Sequence, residues 1–189
     1  MSQNNASVPS RKVTPRSAVV QGPKGQPLVG VEVLRLAANG TYLEGQTSGD
    51  GLWKFEDFYP GTVTLLTAAI GWSGSMQVME ESEWPDPLRL VMDPLPAGGS
   101  IIIRRGSGTV PPLSGRLNPI RDSLGRTYIY GDNISFADSP DQPFAFKEGK
   151  PFRAEDASGA VVDLTVVVTL GKTSLIRYRL LARSPLMES

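Results

Sequence analysis

From Ser17 to Asp93 apolar residues come in short runs, alternating or continuous, and each run is broken by Gly, Pro, Asn or Asp. Strands of four to eight residues joined by tight turns leave this trace, whereas an amphipathic helix repeats its apolar positions every three to four residues. Ala18-Val19-Val20 predicts a first strand, closed by the turn Gly22-Pro23-Lys24-Gly25. In the next run, Val29 to Leu36, the alternation points Val31, Val33 and Leu36 to a core and Glu32 and Arg35 to water. It slips near Leu34, which predicts a bulge there. Asn39-Gly40 is a hairpin signal, because both residues tolerate the left-handed conformation of a two-residue turn. Thr41 to Glu44 then returns. The turn Ser48-Gly49-Asp50-Gly51 leads into Leu52 to Phe55, followed by Val63 to Ala69, Ser75 to Met79, an acidic loop with Glu80, Glu81 and Glu83, and Leu88 to Met92.

Prolines and glycines cluster at Asp93-Pro94-Leu95-Pro96-Ala97-Gly98-Gly99, which predicts a hinge at residues 94–99. Beyond it the strand-and-turn rhythm resumes, with Ile101 to Ile103, Thr127 to Tyr130, Phe144 to Phe146, Phe152 to Glu155, Val161 to Val168 and Ser174 to Leu181. No segment carries a helical period. The fold class expected is therefore all-β, an antiparallel β-sandwich over residues 18–93 followed by a second small β-sheet or barrel over residues 100–183. Residues 1–17, polar and without periodicity, read as a flexible arm, and residues 184–189 as a tail. The pattern leaves open whether Ile101 to Arg105 joins the first sheet or the second.

Composition agrees with a turn-rich chain: 20 glycines and 16 prolines stand among 189 residues, of which 40% are hydrophobic. Nineteen basic and nineteen acidic residues cancel, so no overall field draws a polyanion, and nucleic acid is a poor default partner. The basic clusters Arg11-Lys12, Arg104-Arg105 and Arg177 with Arg179 are short and read as solvated faces, with a local phosphate contact left open. The sequence contains no cysteine and no histidine, which removes disulfides, thiolate metal sites, cysteine nucleophiles and histidine-based triads. No membrane-spanning run and no signal-peptide core is visible, so a cytoplasmic location and no membrane partner are expected.

Three segments taken in order, Gly25 to Val33, Thr47 to Phe55 and Asp57 to Leu65, match a G-x-P-L-x-G-V-x-V strand, a D-G-x-[FYW]-x-F hairpin and a P-G-x-[VY]-x-L strand. Gly71-Trp72 supplies the Gly-aromatic pair that follows. Over residues 18–93 the chain thus resembles the carboxypeptidase regulatory-like domain. The resemblance implies a transthyretin-like β-sandwich and a non-catalytic accessory or adhesion-like role. It also sets aside the isourate hydrolases of that fold, because Tyr178-Arg179 is followed here by Leu180-Leu181.

Other chemistry reads as structural. Asp50 with Asp57, or Asp122 with Asp132, could form an acid-base pair, but Asp50 and Asp122 sit beside glycine turns where a carboxylate caps backbone amides. Lys172 with Ser174 is too weak a spacing for a dyad. Gly171-Lys172-Thr173-Ser174 lacks the upstream glycine and following helix of a phosphate-binding loop. The loop with Glu80, Glu81 and Glu83 has no calcium-binding spacing. Neither cofactor nor metal is expected. Trp53 and Phe55 alternate into a core, whereas Trp72 and Trp84, in loops, and Tyr128 and Tyr130, on one strand, are the candidate partner-binding residues, each with core packing as the alternative. The functional expectation is a non-enzymatic adaptor or accessory subunit that binds another protein. The alternative is a structural or adhesive component that self-associates or binds carbohydrate.

Overall fold

The computed structural model describes residues 15–56, 61–137, 139 and 141–181 of the chain. The protein is all-β, as the short-run pattern predicts. Among the described residues the strands of the first half are β1 (Arg16–Gln21), β2 (Glu32–Ala37), β3 (Tyr42–Gln46), β4 (Leu52–Phe55), β5 (Thr62–Glu80) and β6 (Leu88–Val91). A single turn of 3-10 helix, Glu81–Glu83, separates the last two. β7 (Pro94–Ile103) leads into β8 (Gly108–Thr109), β9 (Arg116–Arg121), β10 (Thr127–Gly131), β11 (Ile134–Phe136), β12 (Phe144–Ala145), β13 (Phe152–Asp156), β14 (Val161–Leu170) and β15 (Thr173–Leu180). No helix among the described residues is long and apolar enough to cross a membrane. The expected arm up to Ala18 and the tail fall largely outside the described residues, and β1 already begins at Arg16.

One eight-stranded sheet, ordered β11-β13-β14-β15-β7-β5-β2-β3, runs through both halves. Two smaller sheets, β4-β1-β6 and β12-β10-β9-β8, complete the layers. The first core lies between β4-β1-β6 and the large sheet and contains Val20, Val33, Trp53, Phe55, Leu65 and Trp84. The second contains Leu117, Ile129, Phe136, Leu164, Ile176 and Tyr178. A third cluster joins Leu34, Leu66 and Ala68 of the first half to Ile102, Val168 and Leu175 of the second. Its members come from the consecutive strands β14, β15, β7, β5 and β2, so the cluster runs across the seam between the two halves.

The segment expected to be a hinge is instead strand β7, which pairs with β15 on one side and β5 on the other. Ile101 to Ile103 belongs to this shared sheet. Gly98 and Gly99 are what allow it. A Cβ on Gly98 would stand 2.1 Å from the Tyr178 carbonyl oxygen, and one on Gly99 would stand 2.8 Å from Ile70 Cα. Clustered glycine here marks close backbone approach rather than freedom.

β2 departs from its expected pattern in the same way. Its pairing with β3 and β5 runs without a register shift, so no bulge stands at Leu34. Both faces of the strand are covered: Val33 enters the first core and Leu34 the third cluster. Arg35, expected to face water, is wholly buried. Its Nη2 and Nε donate to Glu81 Oε2 at 2.6 and 3.1 Å, and its guanidinium lies 5.6 Å from the centre of the Phe55 ring. β5 reaches Glu81 by folding back on itself, with the Thr67 and Ser75 hydroxyls 2.7 Å apart and Glu81 N–H donating to Gly61 O at 3.0 Å.

Candidate functional site

Three turns converge beside the third cluster. The β2-β3 turn is held by Asn39 Oδ1, which accepts from Thr41 N–H at 3.0 Å and from its hydroxyl at 2.6 Å. The segment after β7 passes through Arg105, a non-glycine residue at φ 60°, and Gly106 at φ 90°. The β14-β15 turn carries Gly171 and Lys172. Gly106 N–H donates to the Lys172 carbonyl at 2.8 Å, so the last two turns are tied together.

Between them lies a groove of about 620 Å³. Leu34, Leu36, Ala37 and Leu170 form its floor, and Tyr42, Thr64, Arg104, Arg105, Lys172 and Thr173 its walls and rim. No carboxylate is among the described residues that line it. Arg104 pairs with Glu32 of β2 and Glu44 of β3, which draws the end of β7 against the outer strands. Arg105 and Lys172 are exposed and, among the described residues, pair with no carboxylate. The groove therefore joins an apolar floor to uncommitted positive charge, with Tyr42, 46% exposed, standing at the rim. A ligand of this shape and size range would carry an anionic group and an apolar ring.

A second concavity of about 540 Å³ includes Arg121, Arg126, Tyr128 and Lys147. Two of its three cations are already engaged, Arg126 Nε with Asp122 at 2.7 Å and Arg121 with Glu148 at 3.2 Å. Its charge is largely internal.

Of the candidate contact residues, Trp84 is buried at 7% exposure. It meets Phe55 edge-on at 5.0 Å between ring centres, and its Nε1 donates to Ser17 O at 3.0 Å. A loop position suggested exposure, but the short helical turn directs the indole inward, and it caps the first core. Trp72 is half-buried against the same core. Tyr128 and Tyr130 lie on the outer face of β10, opposite buried Ile129; Tyr130 is 43% exposed, and Tyr128 has the Arg126 guanidinium 5.8 Å from its ring centre. These four residues do not come together in one site.

Asp57 lies outside the described residues. Asp50 accepts from the Ser48 hydroxyl and Leu52 N–H, and the Ser48 bond chiefly holds its carboxyl below the usual range. Asp122 accepts from the N–H groups of Leu124 and Arg126, both at 2.9 Å. Burial pulls its carboxyl upward, and the hydrogen bonds from Arg126 outweigh that and lower it. Both carboxylates are turn caps. Ser174 is buried and donates to the Thr169 hydroxyl at 3.3 Å, turned away from any dyad with Lys172. Arg104-Arg105 and Gly171-Lys172 were each visible in the sequence as short basic or turn segments. Their convergence was not, since it depends on the pairing of β7 with β15, which sets Ile103 opposite Ser174.

No family model matches the chain. A 3' cyclic ADP-D-ribose synthase, AaTIR, of Aquimarina amphilecti is 32% identical over 156 residues, a stretch that covers 82% of this chain and 46% of that protein. The chain thus spans less than half the length of this curated relative. The relative is an enzyme, and that overturns the expectation of a non-enzymatic adaptor or accessory subunit, together with its structural or adhesive alternative. Missing histidine and cysteine exclude triads and thiolates only.

Proposed function

We propose that this chain is a β-rich part of an enzyme that closes ADP-ribose into a cyclic product. The carrying observation is the 32% identity to a 3' cyclic ADP-D-ribose synthase across 82% of the chain. Such a reaction starts from an ADP-ribosyl donor such as NAD⁺. The N-glycosidic bond at the ribosyl C1 breaks, nicotinamide leaves with the bonding electrons, and a hydroxyl oxygen of the same molecule bonds to C1 and gives up its proton. No water is consumed. NAD⁺ is kept inside cells, so this reading puts the protein in the cytoplasm. Residues 18–93 act in it as a carboxypeptidase regulatory-like unit, a reading that the packing of β4-β1-β6 against β2 and β5 supports.

The test is incubation with NAD⁺ of the 189-residue chain and of any longer polypeptide in which its reading frame continues, with products separated and weighed by mass spectrometry. Nicotinamide and a cyclic ADP-ribose in equal amounts are expected from the active form. Intact NAD⁺ in every sample, or linear ADP-ribose as the sole product, would refute it.

A further inference from the structure

The groove beside the third cluster has features that go beyond the reaction class. We infer that it binds the pyrophosphate-linked nucleotide of an ADP-ribosyl compound, with Arg105 and Lys172 on the pyrophosphate and Tyr42 against the base. The identity of the nucleotide rests on the function proposed above; the anionic, ring-bearing character of the ligand rests on the groove itself.

Charge complementarity carries the first part. Arg104 is committed to Glu32 and Glu44, while Arg105 and Lys172 face the same space without a carboxylate partner among the described residues. They stand on two different turns, but the hydrogen bond from Gly106 N–H to Lys172 O fixes the turns together, so both residues line one groove. An arginine fork and a lysine point charge beside one another suit adjacent phosphates. Arg105 keeps a left-handed backbone despite its side chain, a conformation that persists where the surroundings enforce it and one that recurs at ligand sites.

The second part follows from the walls. Tyr42, 46% exposed on the edge strand β3, lines the groove and offers an aromatic ring for a planar base to stack on. Leu36 and Leu170, both partly exposed in the groove, give apolar surface for a ring and a sugar. About 620 Å³ suits one small molecule and is too little for a nucleic-acid strand to lie along.

The proposal is tested by titrating the 189-residue chain with ADP-ribose in a calorimeter, beside adenosine, inorganic pyrophosphate, NAD⁺ and cyclic ADP-ribose. ADP-ribose should bind, adenosine at least about tenfold more weakly, and pyrophosphate should compete. Arg105→Ala and Lys172→Ala should each weaken ADP-ribose about tenfold, and the double variant more, with thermal unfolding unchanged because both side chains are exposed. Should the double variant fail to fold, Lys172→Glu serves, and it should abolish binding by repulsion. Tighter binding of NAD⁺ than of the cyclic compound would make the groove a donor site, and the reverse a product site. No binding of ADP-ribose, or binding that the double variant or Lys172→Glu leaves unchanged, would overturn the proposal. Turnover without groove-dependent binding would remove this site alone, and groove-dependent binding without a cyclic product would remove the reaction alone.

Discussion

The two halves of the molecule bury a carboxylate each, and they hold it by opposite means. In the first half Glu81, fully buried, meets the equally buried Arg35 across 2.6 Å, with the Arg16 guanidinium 3.8 Å from its other oxygen. In the second half Asp156, 4% exposed, is held by neutral donors. It accepts from Ser114 N–H and hydroxyl at 2.7 and 2.8 Å, from Ser158 N–H and hydroxyl at 2.9 and 2.6 Å, and from Ala160 N–H at 3.0 Å. A buried ion pair is intolerant of losing one partner, because the other charge is stranded in a medium of low polarity. A carboxylate ringed by donors loses its hydrogen bonds one at a time. The first arrangement fixes how β2 meets the turn after β5; the second fixes the loop before β9 against the β13-β14 turn.

The largest effect should follow from breaking the ion pair. Glu81→Ala strands Arg35 and should lower the unfolding free energy in urea by about 3–5 kcal/mol, whereas an apolar replacement of both, Arg35→Met with Glu81→Leu, should recover most of that loss. If the single change costs nothing, the pair is not what joins β2 to the helical turn. Next comes the strand shared by both halves. Gly98→Ala sets a Cβ against the Tyr178 carbonyl and should cost about 1–3 kcal/mol in the same assay, with both cores loosened together, as fluorescence from Trp53 and near-ultraviolet dichroism would report.

Asp156→Ala should cost roughly 1.5–3 kcal/mol, since the donors of Ser114, Ser158 and Ala160 lose a charged acceptor. Its hydrogen bonds, the Ser158 hydroxyl foremost, hold the Asp156 carboxyl well below the usual range against the upward pull of burial. A folded value below the unfolded one, ~3.9, means the stabilisation is fully present above that pH and fades as pH falls from there toward the lower folded value. Acid titration of stability should therefore be shallower below pH ~4 in Asp156→Asn than in the parent. The smallest effect belongs to Arg104→Gln, which removes partly exposed ion pairs and should change stability by no more than about 1 kcal/mol.

Local rules made the strands legible. Short apolar runs, Asn39-Gly40 and the glycine turns located most of them, and Trp53 and Phe55 were assigned to a core where they indeed stack, 4.7 Å apart. What the pattern could not carry was contact between distant segments. Arg35 reads as solvent-facing only if a bulge interrupts β2 at Leu34; without one it shares the face of Val33, which packs against Phe55 and Glu81 in the first core. Gly98-Gly99 reads as a hinge because composition alone does not distinguish glycine that moves from glycine that admits a neighbouring backbone. For the same reason the groove was invisible as a unit: Tyr42, Arg105 and Lys172 stand far apart in sequence, and only the joined turns bring them to one rim.

Whether that rim receives a nucleotide is tested most directly by backbone amide shifts measured by nuclear magnetic resonance during addition of ADP-ribose. The expected result is saturable movement of the amides of Tyr42, Arg105, Gly106 and Lys172, with Trp84 and Asp156 unmoved. Shifts that never saturate, or that gather around Tyr128 and Arg126 instead, would contradict it.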